Sequence, residues 1–320
     1  MLYPMKLAPV FKEYIWGGTK LKNKYGKKTD LSTVAESWEL TIRPEGTSIV
    51  LNGDDAGRSL SDVIASSDAN ILGDAAKKFD EFPLLLKFID AAKDLSVQVH
   101  PDDEYAKNYP GEHGKTELWY IIEAKQGSSI IYGLKRETTR EELQQRIEDN
   151  TLEDVLNRVP VNAGDVFLIE AGTIHSIGKG IVLAEVQQNS NTTYRVYDYG
   201  RLGNDGKPRE LNVKKALDVI NTSPAPVLRL PPNMTTFADY ETQLLTSCKY
   251  FTSYLVNLHG KCQPTAGEGS FQSLLMISGN ITIDYNAGEE SFKKGDSVFI
   301  PAGLGKYRLR GKGKFIITTL

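Results

Sequence analysis

The hydrophobic positions of this chain fall in short runs separated by glycine, proline and asparagine, a pattern typical of a protein made mainly of β-strands. Within the first 58 residues the turn signals include Trp16-Gly17-Gly18, Pro44-Glu45-Gly46 and Asn52-Gly53. Later runs that predict strands are 82–92, 118–123, 128–134, 166–169, 182–188, 192–199, 251–258, 274–277, 281–285, 297–301 and 315–320. We expect 118–123 and 128–134 to form a hairpin, because only a short turn at 125–127 separates them.

A few segments change from strand spacing to helical spacing. Ser59, Thr139 and Thr151 each stand three residues before an acidic residue, which is the capping-box pattern of a helix start. These positions predict short helices between about 60 and 79, after 139 and after 151. Asn212 precedes apolar residues at helical spacing over 212–220, which predicts one more helix.

The chain contains an internal repeat. The stretch 164–172 aligns with 295–303 at an offset of 131 residues, which suggests two copies of one β-fold. A cluster of prolines, Pro224, Pro226, Pro231 and Pro232, separates the copies and predicts a domain boundary. We therefore expect a first domain over 1–225, which carries the helical insertions, and a second over 235–320.

Composition narrows the functional classes. The 320 residues are 40% hydrophobic and 25% charged, as expected of a soluble globular protein. A formal net charge of -3 makes nucleic acid or an acidic membrane surface a poor choice of principal partner. No run of eighteen apolar residues occurs, and we expect a cytoplasmic protein. The oligomeric state is open.

Four polar residues of the first copy form a candidate metal site. Gln98 and His100 alternate with Val97 and Val99, so they share one face of a strand and lie about 7 Å apart along it. Glu117 begins a later strand, and His175 follows the turn after 166–169. This nitrogen and oxygen set without thiolate favours a catalytic zinc or similar divalent site, whereas the alternative is a solvated strand face. In the second copy Lys306 occupies the position equivalent to His175, so we expect that copy to hold no metal.

Lys87 interrupts the apolar run 82–92. A lysine inside a buried strand needs a partner or a function. One interpretation is a side chain that extends to the rim of a barrel, and the other is a role in binding an anion.

The sequence resembles two nested families. Gln98-x-His100, Glu117, and later Gly164-Asp165 followed by Ala171-Gly172-x-x-His175 resemble the two-part motif of cupin barrels, with Glu170 at the usual proline position. More narrowly, nearly the whole chain resembles the short bacterial type of mannose-6-phosphate isomerases. The matching stretches are Trp16-Gly17-Gly18, Glu36-Ser37-Trp38-Glu39, 82–90, 98–103, Gly114-Lys115-Thr116-Glu117, 171–175 and 188–198.

This resemblance implies a mainly β protein with two cupin-like jelly-roll barrels in tandem. It further implies one Zn²⁺ held by Gln98, His100, Glu117 and His175, and an active-site arginine at Arg195. Lys115 would face the substrate. The implied reaction interconverts mannose 6-phosphate and fructose 6-phosphate through an enediol, and Lys87 and Lys115 would supply positive charge for the sugar phosphate.

Several alternatives stay open at this point. Arg195 suits the enediolate or the phosphate, or it forms a structural salt bridge. For the proton transfer we place Lys115 ahead of Asp198 or a zinc-bound water. At the level of function, a non-catalytic regulatory cupin that binds a sugar phosphate is the main alternative, because this fold has many uses. An iron-dependent oxygenase is a weaker one.

Overall fold

The computed structural model describes residues 1–203, 205–224, 226–229 and 233–320, and it is mainly β. The strands, in chain order, are β1 (Met5–Ala8), β2 (Val10–Lys12), β3 (Glu36–Leu40), β4 (Ile42–Arg43), β5 (Gly46–Thr47), β6 (Ile49–Val50), β7 (Leu84–Ala91), β8 (Val97–Val99), β9 (Glu117–Ala124), β10 (Ser129–Leu134), β11 (Leu156–Pro160), β12 (Val166–Ile169), β13 (His175–Ile177), β14 (Ile181–Gln188), β15 (Tyr194–Tyr197), β16 (Met234–Thr236), β17 (Tyr240–Ser247), β18 (Thr252–Leu258), β19 (Lys261–Cys262), β20 (Thr265–Ala266), β21 (Gln272–Tyr285), β22 (Gly288–Lys293), β23 (Ser297–Ile300), β24 (Gly305–Lys306) and β25 (Arg308–Thr319).

The helices are short. They are α1 (Lys20–Tyr25), α2 (Leu60–Ser66), α3 (Asp103–Ala106), α4 (Arg140–Glu148) and α5 (Val213–Val219), with 3₁₀ turns at Gly53–Asp55, Asp74–Lys78 and Leu152–Val155. Two predicted caps are confirmed, because Ser59 and Thr139 accept the backbone N–H of the residue three positions later. The caps predicted at Thr151 and Asn212 are wrong, although helical turns follow both residues.

Helix α1 was not predicted by any local signal. Its first-turn backbone N–H, that of Lys20, donates to the Asp90 carboxylate over 2.7 Å. Because the capping oxygen comes from a residue seventy positions away, no pattern near the helix reveals its start.

Three sheets form the body of the molecule. A six-stranded sheet has the order β12-β9-β14-β7-β3-β2, and a five-stranded sheet has the order β11-β10-β13-β8-β15. The largest sheet has the main order β16-β17-β18-β25-β21-β23-β1-β6, with β19 and β22 paired at its side. The predicted hairpin of 118–123 with 128–134 is wrong, because β9 pairs with β12 and β14 whereas β10 pairs with β11 and β13. The chain crosses from one sheet to the other at this turn.

The sheets stack in layers. The alternating residues Leu84, Leu86 and Phe88 of β7 pack toward the ten-stranded sheet. Ile89 and Ala91 of the same strand pack toward the five-stranded sheet. A third cluster lies between the five-stranded sheet and α4 and α5, and a fourth covers the other face of the ten-stranded sheet. Buried charged side chains gather in the space between the five- and six-stranded sheets near the end of β8, where His100, Glu117 and His175 lie.

The repeat is visible in the structure. The strands β12 and β23 stand 131 residues apart, and each lies between two glycines with positive φ: Gly164 (93°) and Gly172 (83°) in the first copy, Gly295 (87°) and Gly303 (80°) in the second. Strand β1 pairs with β23, so a strand of the predicted first domain joins the sheet of the second. Pro231 and Pro232 of the predicted boundary lie outside the described residues.

Over the part of the chain that the structure describes, no helix has the length and apolar character needed to cross a membrane.

Candidate active site

The site begins at one position of the five-stranded sheet. Gln98 lies on β8, which runs between β13 and β15, and it is directly opposite His175 on β13 and Arg195 on β15. Residues directly opposite each other in antiparallel strands project from the same face. Sheet register therefore places three side chains together that lie far apart in sequence. His100 follows Gln98 by two residues, and its ring centroid is 4.8 Å from that of His175.

The six-stranded sheet supplies the opposite wall. Lys87 on β7 faces Glu185 on β14, and Glu185 in turn faces Trp119 on β9. Glu117 precedes Trp119 by two residues, so it projects from the same face toward the five-stranded sheet. The site thus lies between two sheets, and each contributes charged side chains that the surrounding core encloses.

His100, Glu117 and His175 converge tightly. Their ligand atoms all lie within 4.8 Å of one another, and the three side chains are at most 2% exposed. The Nε2 atom of His100 is 3.5 Å from Glu117 Oε2, and that of His175 is 3.4 Å from Glu117 Oε1. Zinc–ligand bonds of roughly 2.0–2.1 Å imply tetrahedral edges of roughly 3.3–3.4 Å. The two distances between the Glu117 oxygens and the imidazole nitrogens therefore match the ligand spacing of a tetrahedral zinc site.

The protonation states also suit a metal. Burial, followed by the charge of Lys115, lowers the pKa of His100 to about 3, and burial lowers that of His175. Burial alone would raise the pKa of Glu117, but the positive charge of Lys115 and contact with His100 hold it well below its ordinary value. Neutral imidazoles and an ionised carboxylate are the forms that bind metals.

The hydrogen bonds around the site leave metal-ligating atoms of these side chains available. His175 Nδ1–H donates to the carbonyl of Thr173 over 2.8 Å, which fixes the tautomer with the Nε2 lone pair toward the site. Both nitrogens of His100 and Oε1 of Glu117 are buried without a hydrogen-bond partner among the described residues, whereas Glu117 Oε2 has Lys115 Nζ 2.8 Å away. Such groups are costly to bury unless something satisfies them. A divalent cation fits this requirement.

Gln98 completes the set. Its Nε2 lies 3.3 Å from His175 Nε2, which is again one tetrahedral edge away. In this orientation the amide N–H donates to the imidazole lone pair, and the nitrogen occupies the place of a ligand atom. Rotation of the amide by 180° puts Oε1 there instead, and an amide oxygen can ligate a cation. The structure thus brings all four predicted metal ligands together.

A cavity of about 300 Å³ opens beside this cluster, and the predicted Lys87, Lys115 and Arg195 all line it, as does Gln98. Lys115 is 5% exposed, and its Nζ lies 2.8 Å from Glu117 Oε2. This is the size of cavity that holds a small molecule, and its walls are unusually polar.

Lys87 belongs to a buried chain of charges. Its Nζ lies 3.2 Å from Glu185 Oε1 and 3.4 Å from Glu36 Oε2. Burial lowers its pKa, but these two carboxylates outweigh burial and the net shift is upward. Trp119 Nε1–H donates to Glu185 over 2.8 Å. The positive charge of Lys87 is therefore already balanced inside the protein, and it does not extend to the rim.

Asp198, one alternative for the proton transfer, lies outside the lining of this cavity. Its two oxygens accept hydrogen bonds from Arg201 and Arg209. Burial raises the pKa of Asp198, but the two guanidinium groups outweigh burial and keep that pKa below its ordinary value. It does not line the cavity. A carboxylate held in this way is a poor base.

Seven polar residues that line the cavity were not predicted as site residues: Tyr14, Glu36, Ser96, Glu185, Asn191, Thr193 and Arg209. One of them carried a usable signal. Glu185 is the charged residue of the otherwise uncharged strand Ile181–Gln188, just as Lys87 is the charged residue of the apolar stretch 84–89. Burial, followed by the negative charge of Glu117, raises the pKa of Glu185. Two oppositely charged residues in two buried strands could have predicted the pair.

Comparisons with known proteins agree with this geometry. A family model for the catalytic domain of type I phosphomannose isomerases matches residues 4–130, and one for the cupin domain of mannose-6-phosphate isomerases matches 240–320. The mannose-6-phosphate isomerase ManA of Bacillus subtilis is 41% identical over 318 residues, which cover 99% of each chain. The mannose-6-phosphate isomerase of Streptococcus mutans is 37% identical, with 97% of this chain and 96% of the relative covered.

A solved structure shows the same architecture. The crystal structure of a mannose 6-phosphate isomerase from Bacillus subtilis superposes with a TM-score of 0.92 at 34% sequence identity, and the match covers 99% of both chains. The similarity therefore includes both predicted copies and the strands that carry the site.

Proposed function

We propose, since the chain belongs to the type I phosphomannose isomerase family, that it interconverts mannose 6-phosphate and fructose 6-phosphate. The observation that carries this proposal is the buried group of Gln98, His100, Glu117 and His175 beside a polar cavity. A site of this kind suits a reaction in which negative charge develops on a small polar substrate. No feature of the cavity favours a regulatory protein without catalysis.

We infer that Gln98, His100, Glu117 and His175 hold one Zn²⁺ per chain. When bound, the ion would supply Lewis-acid stabilisation of the enediolate oxygens without changing oxidation state. The oxygen and nitrogen donors, the neutral imidazoles and the tetrahedral spacing support this choice. The chain itself supplies the positive charge of Arg195 and the groups that move the proton.

Two groups on the cavity wall are suited to proton transfer between C1 and C2. Lys115, our first choice, lies beside Glu117 and lines the cavity. Glu185 is a buried carboxylate with a raised pKa, which makes it a better proton acceptor than an exposed glutamate. We propose Lys115 as the group that exchanges the proton, with Glu185 and Lys87 holding the charge balance of the opposite wall.

The finer features of the fold belong to the same proposal. We infer two jelly-roll units in tandem, one within 1–225 and one within 235–320, with β1 contributed by the first segment to the second unit's sheet. The 131-residue repeat and the cupin-domain match over 240–320 support this division. A cytoplasmic location stays a prediction.

A coupled assay tests the function. We expect the purified protein to convert fructose 6-phosphate to mannose 6-phosphate, a chelator to abolish the activity, and added zinc to restore it. Metal-loaded protein that binds the sugar phosphate without turnover would instead support the regulatory alternative.

Proton exchange tests the role of Lys115. We expect Lys115→Met to lower kcat by about 10²–10⁴-fold, the usual contribution of a general acid–base group, and to abolish exchange of the substrate C2 proton with solvent. In Glu185→Gln we expect slower turnover, with the exchange pattern retained. A Lys115→Met variant that still exchanges the proton would transfer the role to Glu185.

A further inference from the structure

The four cations that line the cavity differ in how their charge is balanced. Lys87 lies within 3.4 Å of two carboxylates, and Lys115 lies 2.8 Å from Glu117. Among the residues that the structure describes, the Arg195 guanidinium donates to two neutral oxygens, the Ser96 hydroxyl over 3.1 Å and the Glu210 carbonyl over 2.9 Å. Within the described ranges no carboxylate lies within 4 Å of its guanidinium. Arg195 therefore presents to the cavity a positive charge that no carboxylate contacts directly.

Arg209 stands beside it with its orientation fixed. Its Nε donates to Asp198 Oδ2 over 2.7 Å, and its Nη2 donates to Oδ1 of the same carboxylate. Asp198 also accepts from Arg201, so one carboxylate serves two guanidinium groups. Arg209 is thus held in place by a negative charge that only partly neutralises it, and it lines the same cavity as Arg195.

The two arginines act on each other. Burial, followed by the positive charge of Arg209, lowers the pKa of Arg195. Two like charges on the wall of one cavity repel each other unless an anion lies between them. A phosphate monoester carries about -1.5 to -2 charge at neutral pH, and arginine forks match its oxygens with paired hydrogen bonds.

The distance between Gln98 and the anchor of Arg195 suits the length of a hexose 6-phosphate. Ser96, which anchors the Arg195 guanidinium, precedes Gln98 by two residues, so the two lie at most about 7 Å apart along the chain. In a hexose 6-phosphate, six bonds separate C2 from the phosphorus, which gives roughly 7 Å at ordinary bond lengths. A substrate with C1 and C2 near Gln98 would reach the arginines with its phosphate.

We propose that Arg195 and Arg209 form the phosphate subsite of the cavity, and that Arg209, positioned by Asp198, determines the preference for phosphorylated over neutral sugars. This proposal rests on the proposed isomerase function. It also gives Lys87 a different role from the anion binding considered from the sequence, because its charge is balanced by Glu36 and Glu185.

The test compares Arg209→Gln with Lys207→Gln, which removes the same charge from an exposed neighbour. For Arg209→Gln we expect the KM for fructose 6-phosphate and the inhibition constant of inorganic phosphate to rise together, by about tenfold to a hundredfold, the loss expected for charge-assisted hydrogen bonds. We expect kcat to stay within about threefold, consistent with loss of uniform binding. Lys207→Gln should leave all three constants unchanged, and Arg209→Lys should recover part of the loss.

Asp198→Asn tests the positioning. We expect it to raise KM less than Arg209→Gln does and to leave kcat and zinc content unchanged, whereas a general loss of structure would lower all of them. An unchanged KM and phosphate inhibition in Arg209→Gln would overturn the proposal while the isomerase function stands. If the metal-loaded wild type is inactive, the isomerase function fails, and calorimetric titration with inorganic phosphate decides the subsite: equal affinity of wild type and Arg209→Gln overturns it.

Discussion

At the scale of single residues, the buried charges of the cavity wall are bound to one another. Lys87 and Glu185 lie on neighbouring strands, and both are almost inaccessible to solvent. In such a pair the attraction offsets a large desolvation cost, so loss of one partner leaves the other as an uncompensated buried charge. The presence of the pair therefore does not show that it adds to the stability of the protein, but it does predict that a variant lacking one partner is destabilised.

We expect Lys87→Met to lower the free energy of unfolding by about 3–5 kcal/mol, the cost typical of a broken buried pair. The reason is that Glu185 and Glu36 would stay buried without a cation beside them. The double variant Lys87→Met/Glu185→Gln should lose less unfolding free energy than Lys87→Met alone, because it also removes the buried charge of Glu185. Free energies of unfolding of the wild type, Lys87→Met, Glu185→Gln and the double variant, measured with a denaturant, give the coupling energy. Equal losses in the single and double variants would contradict this account.

The buried histidines make the stability of the metal-free protein depend on pH. An unfolded histidine takes up its proton near pH 6.5, whereas folded His100 does so only near 3. Between these values the unfolded state binds more protons, so the free energy of unfolding falls as pH falls. The contribution of His100 is fully present above about 6.5 and is lost toward 3.

We expect His100→Asn to flatten this dependence between pH 6.5 and 5 by up to about 1.4 kcal/mol per pH unit. Urea unfolding of the chelator-treated proteins at several pH values measures it. Identical slopes for the variant and the wild type would show that His100 is not the group responsible.

At the scale of elements, sequence patterns located strands and helices better than they located partners. The strand predicted at 118–123 is present as β9, yet its expected hairpin with the next strand does not form. Apolar alternation reports that a segment is half-buried, but it does not report which sheet buries it. In this molecule the choice depends on stacking of layers, which is a long-range property.

Residues of the site were likewise predicted where they lie in a sequence motif and missed where their role depends on long-range contacts. The six residues Gln98, His100, Lys115, Glu117, His175 and Arg195 lie in motif-bearing stretches, and the structure brings all of them to one site. Glu185 and Arg209 lie in stretches without a motif of their own. Their importance depends on what faces them across a strand or a cavity, and one sequence does not contain that information directly.

Helix capping gives a prediction at this scale with an internal control. Thr139 accepts the backbone N–H of Glu142 over 3.1 Å, whereas Thr151 makes no side-chain cap. We expect Thr139→Ala to lower the free energy of unfolding by about 1 kcal/mol, the usual value of a cap, and Thr151→Ala to change it by less than about 0.5 kcal/mol. Denaturant unfolding compares the two. Equal effects would mean that the Thr139 bond contributes no capping energy.

At the scale of the whole molecule, the segment without the proposed metal ligands supports the segment that contains them. Strands β1 and β6 belong to the ten-stranded sheet together with β16–β18, β21, β23 and β25. The largest shared core packs residues of that sheet against the six-stranded sheet that carries Glu117 and Lys87. The Lys27 side chain joins the same two layers, since its Nζ lies 2.6 Å from Glu39 and donates to the Gly295 carbonyl.

A fragment that ends at residue 233 should therefore fail to form the site, even though it contains every proposed metal ligand. Removal of 234–320 would expose the apolar face made by Leu84, Leu86 and Phe88 and leave β1 and β6 without the sheet they join. Exposed faces of this kind lead to aggregation. We expect the fragment to be insoluble or to unfold without a cooperative transition and to bind no zinc, and co-expression with 234–320 to restore some soluble, metal-binding protein. A soluble fragment with full zinc content and cooperative unfolding would instead show that residues 1–233 fold independently, and that the shared core is an interface between two separate domains.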